Sequence, residues 1–294
     1  MKLYIVTVAT NYDGYLPYLK HSCTKYNYDL VILGFGEKWK GFNWRYKLVL
    51  NFLDSINNED IVCFIDGFDV ICCKNLNNLS SVFNNLKKKY NCKIIVSEHK
   101  FVNNFKNYCA IFKNTLYFSK CKNRLINAGT YIGNVKDIKK ILFDIYNLSP
   151  YDNSDDQKLL TIYCKNNEKD VYIDSNNEIF LVLEDSYEEI DKSLLFYKDH
   201  VIYNNNSPFF IHGAGETLLD NIIIKLNYNY DYNNKVRDNI IKNYYNKTFF
   251  RIKNLDFNII VFTFIFIFIF IFIIIIIIFN KKLISKYYKK NFKK

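Results

Sequence analysis

The sequence predicts an α/β domain on a mixed, mainly parallel sheet flanked by helices, followed by one C-terminal transmembrane helix. Two observations predict the domain. Short β-branched runs are bounded by turn signals, and helix-spaced apolar segments lie between them. A third predicts the helix: Ile259 to Phe279 is 21 residues with one Thr and no charge.

Taken in order, "LYIVTVAT" (Leu3 to Thr10) predicts a buried strand. A helix is expected over Tyr15 to Tyr26, after the Asn-Tyr-Asp-Gly turn. "YDLVILGFG" (Tyr28 to Gly36) predicts a second strand ending in a glycine loop. "WRYKLVLNFLDSI" (Trp44 to Ile56) has helical spacing of apolar residues, and "DIVCFID" (Asp60 to Asp66) predicts a third strand. A helix over Asn78 to Tyr90 leads to a fourth strand, "CKIIVS" (Cys92 to Ser97). Beyond Phe101 the pattern loosens. "LINAGTYIG" predicts a glycine-bearing loop or short strand before a helix from about Val135 to Tyr146. "SDDQKLLTIYCKN" opens with Ser and Asp before an apolar helical run, so Ser154 or Asp155 is the expected N-cap. "DVYID" and "PFFIHGAG" predict short late strands. No segment repeats at a fixed period.

The domain is expected over residues 1–220, a polar stalk over 221–258, the membrane helix over 259–279 and a Lys-rich tail over 280–294. At about 1.5 Å per residue the apolar helix spans roughly 30 Å of hydrocarbon. A soluble strand this long and apolar on both faces would aggregate, which argues against the alternative its Phe/Ile alternation suggests. The net charge is +11, but seven Lys of the tail leave +4 elsewhere, so no nucleic-acid partner is expected. No secretory signal is expected in "MKLYIVTVATNYDGY". The Lys-rich tail favours a cytosolic C-terminus, whereas the missing signal favours a cytosolic domain; the reading leans to the latter. Eight cysteines include no C-x-x-C pair, so they are expected as small buried hydrophobes, without a zinc site or a disulfide framework.

Three constellations carry chemistry. In "FIDGFDV", Asp66 and Asp69 fall at the carboxyl end of the third strand, where open α/β sheets bind ligands. Two carboxylates there suit a hard divalent cation, or form an Asp-Gly turn with solvated side chains. In "FFIHGAG", His212 follows an apolar strand and precedes Gly213 and Gly215. An imidazole joining two carboxylates favours Mn²⁺ over Mg²⁺, and the glycines allow close approach to a phosphate. In "SDDQ", one Asp suffices to cap the helix, leaving another carboxylate free to act as a base or orient a sugar hydroxyl. "NAGTYIG" presents Asn127 and backbone amides, or is only a turn.

In this order, "TVAT", "LGFGEKW", "FIDGFDV", "NAGTYIG", "DDQ" and "IHGAG" resemble the glycosyltransferase domain of the procollagen lysyl hydroxylases, and less closely the collagen galactosyltransferases. The resemblance covers roughly Lys2 to Leu219 and implies a GT-A-like, Rossmann-type fold using UDP-sugars with Mn²⁺. It implies Asp66, Asp69 and His212 as metal ligands and Asp155 and Asp156 as acidic residues needed for transfer. It further implies donor contacts from Thr7, Thr10, Lys47, Asn127 and Gly129, beside the phosphate contacts that Gly213 and Gly215 allow. The acidic run is shorter here, Ala214 replaces an amide, and the Trp after the fourth strand is absent. The expected activity is transfer of glucose or galactose from a UDP-sugar to a hydroxyl acceptor such as hydroxylysine of a collagen-like protein. The alternative is a catalytically decayed binding module of the same fold, anchored at a membrane.

Overall fold

The computed structural model describes residues 1–99, 115–149, 151–183, 192–198, 200–215, 217–228 and 257–291. Cys109 and most of the expected stalk, 229–256, lie outside them.

The main sheet has six strands, β1 (Leu3–Val8), β2 (Leu30–Leu33), β3 (Ile61–Ile65), β5 (Ile94–Glu98), β6 (Ile126–Asn134) and β7 (Val171–Asp174), in the order β2-β1-β3-β6-β5-β7. β1 pairs in parallel with β2 and β3, and β5 with β7. β6 runs antiparallel between β3 and β5. The sheet is therefore mixed and mainly parallel, as expected. Side chains alternate along each strand: Val6, Val62, Phe64 and Tyr131 join one core cluster, while Ile5, Cys63, Ile65 and Ile132 join another. Helices α2 (Phe42–Leu53), α4 (Val135–Leu148) and α5 (Asp156–Asn166) cover the first face; α1 (Leu16–Lys25) and α3 (Leu79–Tyr90) cover the second.

The nine-residue β6 replaces the expected loop or short strand. Its burial on both faces holds it in the ladder despite two glycines. Gly133 sits where an added Cβ would lie 2.9 Å from Ile138 of α4, so the small residue lets helix and sheet close up.

A second sheet has the order β4-β11-β8, from β4 (Val70–Cys72), β8 (Phe180–Leu183) and β11 (Phe210–Gly213). Val70, Cys72, Phe180 and Phe210 face the second core cluster; Ile71, Leu181 and Ile211 face a third. Asp174 couples the two sheets. Its carboxylate accepts N–H bonds from Glu178, Ile179 and Phe180 at 3.0, 2.8 and 2.9 Å, shaping the turn from β7 into β8. Burial pushes that carboxyl up to about 6 against the pull of the three N–H donors. A two-stranded ribbon, β9 (Leu195–Phe196) with β10 (Val201–Ile202), completes the strands described.

The folded unit passes the expected boundary at residue 220. α6 (Asp220–Lys225) buries Ile222 and Ile223 in the third cluster, together with Tyr228. The cysteine expectation needs one correction: Cys121 and Cys164 form a disulfide across 43 residues, linking the segment before β6 to α5. No short spacing announces this pair; the fold brings the two Cα atoms to 6.1 Å. Cys23, Cys63, Cys72, Cys73 and Cys92 are free and buried, as expected.

The C-terminal unit contains α7 (Phe257–Asn291). Its segment Thr263–Lys281 has mean hydropathy 3.2 and no residue buried by protein, so by length and composition it is apolar enough to cross a membrane.

Candidate metal and transfer site

β3 ends at Ile65, and the next residue continues its ladder: Asp66 N–H donates to Gly129 O at 2.8 Å. Gly67 then carries the chain over β1, where an added Cβ would lie 2.9 Å from Thr7 Oγ1. Asp69 stands just before β4. β11 returns antiparallel to β4, with His212 opposite Val70, and Gly213 N–H donates to Asp69 O at 2.7 Å. This pairing delivers an imidazole from late in the chain to the two aspartates.

His212 Nε2 lies 3.2 Å from Asp69 Oδ1 and 3.8 Å from Asp66 Oδ2. One ligand atom from each residue lies within 4.8 Å of the others, and no other group of three or more metal-ligating side chains this close occurs among the described residues. The imidazole is buried, whereas both aspartates remain about one-fifth exposed, so the cluster has a solvent side. Two hard oxygens and one nitrogen fit a divalent cation. Gly129 lines the other side. A Cβ there would come 2.6 Å from Asp66 Oδ2 and would collide with His212 Cε1, so only glycine leaves both ligands in place.

Arg45 completes the arrangement. It is buried on α2 and forks between two carboxylates: Nη1 donates to Asp66 Oδ1 and Nη2 to Asp156 Oδ2. Burial pushes the Asp66 carboxyl above its usual range, Arg45 pulls it down, and Asp69 pushes it up again. Burial opposes the charge on Arg45, yet Asp156 and Asp66 outweigh it and hold the guanidinium charged. Asp66, Asp69, Asp156 and Arg45 form one contiguous charged cluster beside His212. It also retains unused polar atoms. Thr7 Oγ1, Arg45 Nε and Tyr131 Oη are buried without a hydrogen-bond partner among the described residues, which suits a polar ligand or water.

The two acids of the α5 start separate in role. Asp155 is the N-cap, and its Oδ1 accepts the Lys158 N–H at 3.0 Å. Asp156 is buried against Arg45, and its Oδ1 accepts the Gln157 N–H at 2.9 Å. Of the expected donor contacts, Thr7 and Asn127 are buried beside the cluster. Thr7 touches the Gly67 turn, and Asn127 Oδ1 accepts the Gly129 N–H at 2.8 Å. Thr10 is half-buried and its carbonyl accepts the Gly36 N–H at 2.9 Å. Gly215 is exposed at φ 72° beyond β11.

Lys47 is exposed, two residues along α2 from the buried Arg45. The signal for Arg45 was periodicity: Arg45, Val49 and Leu53 recur at four-residue intervals on the buried stripe of α2. A lone Arg on an apolar stripe needs acids within reach, and Asp66 and Asp156 supply them.

The family model described as "PLOD GT domain" matches residues 1–242. Procollagen-lysine,2-oxoglutarate 5-dioxygenase of Drosophila melanogaster is 24% identical over 241 residues, covering 74% of this chain and 31% of that protein. The human multifunctional procollagen lysine hydroxylase and glycosyltransferase LH3 is 26% identical over 243 residues, covering 74% and 30%. The chain thus spans about a third of the length of these relatives. Among solved structures, a glycosyltransferase involved in the glycosylation of the major capsid of PBCV-1 matches with a TM-score of 0.46 at 13% identity, covering 73% of this chain and 94% of that one.

Proposed function

The chain belongs to the PLOD GT domain family, and from that premise we propose a Mn²⁺-dependent, GT-A-like hexosyltransferase that moves glucose or galactose from a UDP-sugar to a hydroxyl acceptor. The observation that carries this reading is the convergence of Asp66, Asp69 and His212, drawn from two sheets, at the carboxyl end of β3. In it, these three residues hold the ion. When bound, the ion supplies Lewis-acid neutralisation of the diphosphate leaving group. Gly129 keeps a side chain away from the ligand set, and Thr7, Thr10 and Asn127 offer polar atoms beside it. Asp156, fixed by Arg45, orients the acceptor hydroxyl or faces positive charge developing on the sugar. Hydroxylysine in a collagen-like protein is the acceptor that the family suggests.

A screen of UDP-sugars with the full chain in detergent tests the reading. Turnover of UDP-glucose or UDP-galactose is expected with Mn²⁺, and is expected to drop to the EDTA background in Asp69→Ala. A folded sample that binds UDP without metal and turns over no UDP-sugar would instead be the decayed binding module.

The apolar helix serves in this reading as a single-pass anchor. The Cys121–Cys164 bond favours an oxidising compartment for the domain. The lysines that follow the apolar segment favour the cytosolic side for the tail. Together they support a domain outside the cytosol, opposite to the leaning of the sequence alone. Protease protection of the domain in sealed microsomes is the expected result; digestion without detergent would reverse the orientation.

A further inference from the structure

We infer that Arg45 is a positioning residue that sets both halves of the site with one guanidinium. It holds Asp66 so that Oδ2 rather than Oδ1 turns to Asp69 and His212, and it holds Asp156 at a fixed place relative to that ligand set. This inference rests on the metal-dependent reading above and adds to it a residue that joins ion and acceptor side.

Three features make Arg45 a fixed strut rather than an incidental ion pair. First, both Nη atoms are spent on different carboxylates, one a candidate ligand and one a candidate transfer residue, 111 residues from Arg45 in sequence. A planar fork can do this, whereas an ammonium is a single point charge. Second, the guanidinium is packed between aromatic rings, 5.4 Å from the Phe42 centroid and 5.6 Å from that of Phe64, and Phe64 stacks on Tyr131 at 4.8 Å. Third, its backbone is tied to the segment that delivers Asp156. The N–H groups of Asn43 and Trp44 donate to Asp152 O at 2.9 and 3.1 Å. The Asn43 side chain donates to Ser149 O at 2.8 Å and Tyr151 O at 3.2 Å. The start of α2 and the start of α5 therefore form one piece, with Arg45 as its reach into the metal cluster.

Without Arg45, Asp66 Oδ1 would be free to rotate into the ligand position. Partners that orient metal ligands typically contribute about 10–100-fold to affinity or activity.

The test uses the full chain in detergent and compares wild type, Arg45→Met and Arg45→Lys. Free Mn²⁺ is read by electron paramagnetic resonance with UDP present, and kcat and KM are measured for the donor found in the screen. Arg45→Met is expected to weaken Mn²⁺ by about 10–100-fold and to lower kcat by at least as much. Arg45→Lys is expected to recover most of the Mn²⁺ affinity through its charge but to keep the low kcat at near-normal KM, because one ammonium cannot hold both carboxylates. Wild-type Mn²⁺ affinity and kcat in the folded fraction of either variant, with only thermal stability lowered, would overturn the inference. If Arg45→Met does not fold, Arg45→Lys alone decides by the same criteria. A wild type that binds no Mn²⁺ overturns the transferase reading and this inference with it; a wild type that binds Mn²⁺ beside indifferent variants removes only the role of Arg45.

Discussion

The two sheets contribute different ligands to the site. The main sheet places Asp66: β3 ends, its ladder runs one residue further onto Gly129 of β6, and the carboxylate is in place. The second sheet places Asp69 and His212, which the antiparallel pairing of β4 with β11 brings together from distant parts of the chain. The candidate metal cluster sits at this seam. The main sheet alone places one ligand, and the full set exists only where the second sheet joins it.

The sharpest way to separate the sheet framework from the seam is to change two glycines of one strand. Gly129→Ala puts a methyl against Asp66 Oδ2 and His212 Cε1, whereas Gly133→Ala puts one against Ile138 and the Lys93 carbonyl. Gly129→Ala is expected to cost about 10–100-fold in Mn²⁺ affinity, read by Mn²⁺ titration with UDP present. Gly133→Ala is expected to cost about 1–3 kcal/mol of stability by overpacking and to leave Mn²⁺ affinity unchanged. Equal effects on metal binding would mean that the seam is not the sensitive element.

The same contrast explains what was legible in the sequence. β1, β2, β3 and β5 are β-branched runs of the main sheet, and the helices between them carry apolar stripes, so their pattern suffices. β6 was obscured because "INAGTYIGN" dilutes its apolar residues with glycine and asparagine, which long-range pairing tolerates. The strands of the second sheet have three or four residues each, too few to show a period. Asp66, Asp69 and His212 were found as motifs, and the fold supplied their closeness. Arg45 and the Cys121–Cys164 bond escape the sequence for one reason: each is defined by a partner far along the chain. Lys47 rests on the family resemblance alone, and it is exposed. Asp155 and Asp156 look alike in sequence, and only burial separates them.

That separation yields the smallest expected effect. Asp155 caps α5 through one side-chain oxygen, a role that Asn fills about as well as Asp. Asp156 is buried under Arg45, where the carboxylate charge is the point of the contact. If the cap reading holds, Asp155→Asn keeps both stability and turnover near wild type, and Asp155→Ala loses about 1 kcal/mol in thermal or denaturant unfolding. Asp156→Asn leaves the cap intact but removes the charged partner of Arg45, so its loss appears in turnover. Should Asp155→Asn lower kcat as far as Asp156→Asn does, the two acids act as a pair. The acceptor side would then reach past the seam to the half-buried N-cap of the helix.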